Sequence, residues 1–145
     1  MRKYVLPVAA VSFAVLASSS QAAQTSANFQ ARITIQTSCV VAVGNLDFGN
    51  VGVIVGGDAA TSTVSVNCSN GTPYTLSFAA LSAVTSYSST MINGAEDVAY
   101  SAALSGAGGT GNGGLQTYTI DGVLPAQTTP TPAIYTDNQT VFLNY

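Results

Sequence analysis

The chain has 145 residues, which is enough for one domain but not for two. Only 6% of its residues are charged and none is histidine, whereas about 25% of an ordinary soluble protein is charged. The missing imidazole argues against most acid–base catalysis, and the scarcity of basic residues argues against a nucleic-acid-binding face. The remaining mixture of β-branched, aromatic, Ser, Thr and Gly residues predicts a folded, β-rich protein.

The beginning of the chain has the pattern of a secretory signal peptide. A basic start, Met1 to Lys3, precedes fourteen residues that form an apolar run from Tyr4 to Ala17. Small residues at Ser20 and Ala22 then offer a cleavage site, so we expect a signal peptide over residues 1–22. A membrane anchor is the alternative, but it needs roughly 20 apolar residues, and no later stretch is apolar enough to span a membrane after cleavage.

The residues that follow the predicted cleavage site carry one arginine, Arg32, and six acids, for a net charge of −5. Two cysteines, Cys39 and Cys68, remain in a chain bound for an oxidising compartment, where a disulfide is the default state. The chain-entropy model assigns such a loop roughly 3.6 kcal/mol of stabilisation. No histidine or further cysteine is present to complete a thiolate metal site, and no cofactor is predicted.

Alternation with a period of two residues dominates the chain after the signal peptide. It begins at Ala27 and runs to Val43, with all odd positions apolar except Thr37, and with polar residues at the even positions from 28 to 36. Short strands separated by Gly, Pro and Asn turns are typical of a β-sandwich. Further strands are predicted over residues 61–68, 74–78, 84–91, 97–104, 115–120 and 135–145.

Two glycine-containing segments are predicted to lie outside the strands. Residues 106–114 contain six glycines and predict a flexible loop. They match the GxGxxG pattern of dinucleotide-binding proteins literally, but no helix pattern follows, so a nucleotide site is not expected. Asp121-Gly122 predicts a tight turn.

Candidate catalytic residues are few. Glu96 and Asp97 are the only adjacent acids, and neighbours on a strand point to opposite faces, so a solvated turn is expected there rather than a catalytic pair. Serine is abundant, but the His and Lys bases that usually activate it are missing after residue 3. We therefore expect no enzyme. Tyr87 lies among Ser and Thr residues and is predicted to be exposed, where it could contribute to a binding patch.

The alternating N-terminal segment, residues 23–38, has two interpretations. It can be an ordinary first strand of its own sandwich, or it can be donated to complete the sheet of a neighbouring subunit. Sandwiches have edge strands, and soluble proteins usually protect these with Lys or other charges. The chain has almost none to place there, which indicates that some other element covers its edges.

Several motifs in this order resemble the spore coat U domain family, which includes the pilins of archaic, Csu-type chaperone–usher pili. They are Leu46-Asp-Phe-Gly49 after Cys39, Cys68 at the end of a Thr/Val strand, Tyr74-Thr-Leu76, and Pro132 to Asp137 leading to Tyr145. The resemblance covers nearly all of the chain after the signal peptide.

The resemblance implies an all-β fold, an incomplete immunoglobulin-like β-sandwich over residues 39–145 that a donor strand from a neighbouring subunit completes. A periplasmic chaperone would fill the groove first, and an outer-membrane usher would exchange it for the next subunit, identical or related. The donor strand would come from residues 24–36 within the segment 23–38. Its groove-entering side chains would be Phe29, Ala31, Ile33 and Ile35, and Val141, Leu143 and Tyr145 would help line the acceptor groove.

These expectations define a structural subunit of a surface adhesive pilus, exported through the periplasm and supporting attachment and biofilm formation. The alternative is a self-contained secreted β-sandwich that acts as a coat or ligand-binding protein.

Overall fold

The computed structural model describes residues 22–145, so the predicted signal peptide lies outside the described residues except for Ala22. The described chain divides after Ile33 into two units. In the first, residues 22–33, there is no strand and the residues are exposed. The second, residues 34–145, is a β-structure in which residues 34–38 precede the first strand and are also exposed.

The second unit contains only strands, turns and irregular segments, which confirms the all-β prediction over the described residues. In chain order the eight strands are β1 (Cys39–Val43), β2 (Ala59–Cys68), β3 (Pro73–Ser77), β4 (Ser86–Asn93), β5 (Glu96–Leu104), β6 (Gly108–Thr110), β7 (Leu115–Val123) and β8 (Phe142–Asn144).

The strands form two antiparallel sheets. A five-stranded sheet has the order β1-β2-β7-β5-β4, and a three-stranded sheet has the order β6-β3-β8. Strand β2 is the longest of the first sheet, and its alternating sequence places every second residue in the core. Its alternate residues Ser62, Val64, Val66 and Cys68 are buried, while Thr61 and Thr63 face outward, as expected for strands with one face on a core.

The core lies between the inner faces of the two sheets. Cys39 at the start of β1 pairs with Cys68 at the end of β2, and the two are joined by a disulfide, as predicted. Leu76 of β3 is fully buried opposite the first sheet. The hydrophobic core consists of Ile54, Val64, Val66, Cys68, Tyr74, Leu76, Val98, Tyr100, Ala102, Leu104, Ile120 and Leu124.

The glycine-rich segment is not the flexible loop that its composition predicts. Gly108 to Thr110 form β6, which pairs with β3. At Gly108 the φ angle is +126°, and a Cβ atom would lie 2.3 Å from the carbonyl oxygen of Tyr74. Glycine is therefore needed for the close approach of the β6 and β3 backbones. Composition alone does not distinguish this requirement from chain flexibility.

Two other expectations about strand ends are wrong. Asp121-Gly122 is not a tight turn, because both residues lie inside β7 and pair with β2. The last predicted strand, residues 135–145, is mostly irregular, with a single bridge at Thr136 and the short β8. In both places partners distant in sequence decide the backbone conformation, which local turn chemistry cannot report.

We expect Gly108→Ala to destabilise the protein by about 2–4 kcal/mol, because the new methyl group meets the β3 backbone at a φ angle that alanine rarely adopts. Gly52→Ala is the matched control, since no atom lies within 4 Å of its Cβ position and its φ is not positive. Urea unfolding followed by circular dichroism measures both. Equal stability of the two variants would contradict the close packing of β6.

Candidate functional site

A groove with an aromatic floor and partly polar walls runs along one side of the sandwich and encloses about 670 Å³. Its first wall is formed by β1 and the residues that follow it, up to Phe48. Its second wall is the irregular segment 134–141, which leads into β8. The floor is made of four side chains from the five-stranded sheet, Tyr87, Met91, Tyr100 and Ile120, and of Phe78, which directly follows β3.

The first wall is held in place by close packing on β7. Leu46 and Phe48 are half-buried and pack against the core, while Asp47 between them is exposed. A Cβ atom at Gly122 would lie 2.7 Å from Leu46 and 2.9 Å from Phe48. Leu46 and Phe48 therefore pack directly on Gly122. Because glycine has no side chain, there is room for the first wall to lie close to β7.

A row of four aromatic rings crosses the floor. Phe78 packs edge-to-face on Tyr87 at 4.5 Å between ring centroids, Tyr87 on Tyr100 at 5.8 Å, and Tyr100 on Phe48 at 6.1 Å. Edge-to-face packing of this kind adds about 0.5–1.5 kcal/mol per pair beyond the burial of area. The prediction that Tyr87 is exposed is wrong, because it is half-buried in this row.

A single carboxylate anchors the second wall to the floor. Asp137 Oδ2 accepts hydrogen bonds from Ser89 Oγ at 2.7 Å, from Tyr100 Oη at 2.8 Å and from Gln139 Nε2 at 2.9 Å. Because Tyr100 donates its proton to Asp137, Tyr87 is the donor in the 3.1 Å contact between the two tyrosine hydroxyls.

The charge states of this cluster follow from its surroundings. Burial raises the pKa of Tyr100 far above its usual range, and the hydrogen bonds with Tyr87 and Asp137 raise it further. Burial also acts to raise the pKa of Asp137, but the hydrogen bonds donated by Ser89, Gln139 and Tyr100 outweigh it and lower that pKa. At neutral pH the cluster is therefore a carboxylate held by neutral donors.

A second carboxylate fastens the same wall further along. Glu96, at the start of β5, accepts hydrogen bonds from Tyr135 Oη at 2.8 Å and from both the backbone N–H and the hydroxyl of Thr131. These bonds, that of the Thr131 hydroxyl first, lower the pKa of Glu96. The expectation of a merely solvated turn at Glu96-Asp97 is wrong, because Glu96 lies in β5 and connects it to the wall.

Backbone bonds complete the attachment of the second wall. Ile92 of β4 and Thr136 exchange two hydrogen bonds, of 2.9 and 3.3 Å, and Asn93 Nδ2 donates to the Ile134 carbonyl. The segment thereby covers part of the β4 edge of the larger sheet. Within the described residues, β1 pairs only with β2 and β8 only with β3, so each of these strands has one unpaired edge. β1 lines the groove, and β8 directly follows its second wall.

The structure distributes the predicted groove residues unequally. Val141 lines the groove. Leu143 lies in β8 opposite Leu76 and packs against the core, and Tyr145 follows β8 and is 64% exposed. The predicted donor side chains are all exposed, with Phe29 at 91%, Ile33 at 81%, Ile35 at 77%, and Ala31 in the same class.

Sequence reasoning missed the residues that hold the second wall. Asp137 lies in a motif that the sequence connects only with the family resemblance, and the sequence predicts only a solvated turn at Glu96. Apart from Gln139, which is two residues from Asp137, their partners lie 35 to 48 residues away in the sequence. The one signal in the sequence that points to these residues is the scarcity of acids, since only six are present and few are available for a merely solvated surface.

The fold defines a class of protein, an incomplete immunoglobulin-like sandwich with an open groove between its two sheets. The family model of the Spore Coat Protein U domain matches residues 25–142, which is most of the chain. The chain therefore belongs to this family, whose members are structural subunits of chaperone–usher pili rather than enzymes. Comparisons with curated proteins and with solved structures found no significant match. Within residues 22–145 no helix is long and apolar enough to cross a membrane.

The anchoring carboxylates predict a loss of stability in acid. The pKa values of Asp137 and Glu96 are lower in the folded chain than their usual values of about 3.9 and 4.3. Their contribution is therefore complete above about pH 4–5 and disappears as the pH falls through the lower folded values. We expect the midpoint temperature of thermal unfolding to decrease when the pH is lowered below about 4. Asp137→Asn should make this decrease smaller.

At pH 7, we expect Asp137→Asn to lower the free energy of unfolding by about 1 kcal/mol, because three donors lose their ionised acceptor. Asp97→Asn removes the same charge from an exposed position and should change the stability by less than about 0.5 kcal/mol. Thermal scans from pH 7 to pH 2 compare the variants. An Asp137→Asn profile that parallels the wild type at every pH would count against the anchoring role.

Proposed function

We propose that this chain is a subunit of an adhesive surface pilus, in which the segment 24–36 of one copy occupies the groove of the next. The observation that carries the proposal is the pairing of two features of the same chain. One is a groove with an aromatic floor beside β1 and the segment that leads into β8, two strands that each have an unpaired edge. The other is an exposed segment with alternating apolar side chains.

The chemistry of the groove supports a strand as its occupant. A strand seated there would bring backbone N–H and C=O groups to the edges of β1 and β8, which need partners once water is excluded. Its alternate side chains would reach the aromatic floor. Burial of Phe29, Ile33 and Ile35 at about 1.5–3 kcal/mol each would contribute several kcal/mol per joint.

The charge pattern supports the same occupant. Arg32, the one cation after residue 3, lies at an even position of the segment, between Ala31 and Ile33. A strand that inserts its odd side chains therefore keeps the cation on its outer face, where it remains hydrated. No desolvated charge opposes the insertion.

The geometry of such exchange is head-to-tail, because the donated segment and the accepting groove are different surfaces. A contact of this type does not close on itself and produces a fibre. We propose that a periplasmic chaperone covers the groove before assembly and that an outer-membrane usher replaces it with the next subunit. The fibre would lie outside the cell and support attachment and biofilm formation. Residues 1–22 would serve as the signal peptide, and residues 39–145 would form the pilin domain.

The expected behaviour is a ladder of polymers on a detergent gel when surface material is left unheated, which collapses to monomer on boiling. Deletion of residues 24–36 should abolish the ladder and leave a chaperone-bound monomer. Ile33→Asp should have the same effect, because it places a charge against the aromatic floor of the groove.

Thr34→Asp is the matched control, since it adds the same charge one residue further on the outward face of the segment. We expect it to retain the ladder. Strand donation would be refuted if the protein lacking residues 24–36 were secreted as a stable monomer. It would also be refuted if Ile33→Asp and Thr34→Asp had the same effect on the ladder. A self-contained secreted sandwich would then be the better description.

A further inference from the structure

Ser69 lies where the N-terminal segment leaves the sandwich, and it makes more contacts with that segment than a strand pairing requires. In β1 and β2 the antiparallel register ends with Cys39 opposite Cys68. Ser69 continues it by one step, since its backbone N–H donates to the Ser38 carbonyl at 2.9 Å. The β1–β2 ladder therefore extends beyond the assigned strand.

The hydroxyl of Ser69 replaces a backbone group that is used elsewhere. In a regular ladder the Ser38 N–H would donate to the Ser69 carbonyl, but that carbonyl accepts from Thr72 N–H in the turn after β2. The Ser38 N–H instead donates to Ser69 Oγ at 2.8 Å. The hydroxyl proton is directed at the carbonyls of Ser38, at 3.0 Å, and Gln36, at 3.2 Å.

These contacts fix the direction of residues 36–38. The groove is lined by β1 from Val41 onward and by the residues that follow it up to Phe48. Residues 36–38 precede β1 and are held beside the end of β2 by Ser69 and by the neighbouring disulfide. A tight turn at Thr37-Ser38 would break these bonds, and neither residue is the Gly, Asn or Asp that such turns favour.

We propose that Ser69 is a positioning residue that holds residues 36–38 in line with β1, so that the donor segment leaves the subunit in one direction and the joint to the next subunit is stiff. The proposal rests on the proposed strand donation and adds the residue that orients it.

The test uses full-length fibres of the wild type and Ser69→Ala. In the variant we expect the ladder to persist, the Ser38 amide to exchange with solvent about fivefold faster because it loses its acceptor, and the fibres to show a shorter persistence length in electron micrographs. Ser69→Thr keeps the hydroxyl and should restore both values. Ser105→Ala is the matched control, because Ser105 Oγ also accepts from a backbone N–H, that of Thr119, away from residues 36–38.

The outcomes separate the two proposals. Unchanged exchange at Ser38 and unchanged stiffness in Ser69→Ala would overturn the positioning role. Loss of the fold in Ser69→Ala but not in Ser69→Thr would also overturn it, since the residue would then serve folding instead of direction. Failure of strand donation itself would be seen separately, as a ladder unaffected by Ile33→Asp.

Discussion

Backbone groups need hydrogen-bond partners wherever water is excluded, and the groove beside β1 and the segment that leads into β8 is where this sandwich leaves that need unmet. Most sandwiches close the gap between their sheets with a strand of their own or protect the edge with charges. Here the groove has an aromatic floor, and the chain has scarcely any charge to place at the two strand edges. The open groove affects the rest of the structure, because no strand within residues 22–145 fills it and its walls must be held in place by other contacts.

The scarce acids are used to support one of those walls. Asp137 and Glu96 are two of only six acidic residues, and each accepts hydrogen bonds from at least two partners that are distant in the sequence. Both fasten the segment 131–139 to the β4–β5 hairpin. Because this segment is mostly irregular and lacks a full ladder of its own, side-chain bonds supply the order that backbone pairing would otherwise give.

The sequence was sufficient for the fold class and most of the strands, because these depend on local patterns such as the alternation of β2. It was also sufficient for the disulfide, because the exported chain has only two cysteines to pair. It was insufficient where distant partners decide. Composition predicts a flexible loop at Gly108, but the β3 backbone packs directly against it. Local turn chemistry predicts a turn at Asp121-Gly122, but both residues pair with β2. Glu96 gave no local sign of its bond with Tyr135.

The position of Arg32 also determines where trypsin can cut the chain after residue 3. Trypsin cleaves after Lys and Arg, and beyond residue 3 the chain offers it this one position. In the described structure the position is exposed and outside any strand, which suits a protease that binds extended chains. Once a segment is paired as a strand between two neighbours, its backbone no longer fits such an enzyme. Within residues 22–145, a subunit whose segment was paired would then offer trypsin no accessible Lys or Arg, while an unassembled one would be cut once, after Arg32.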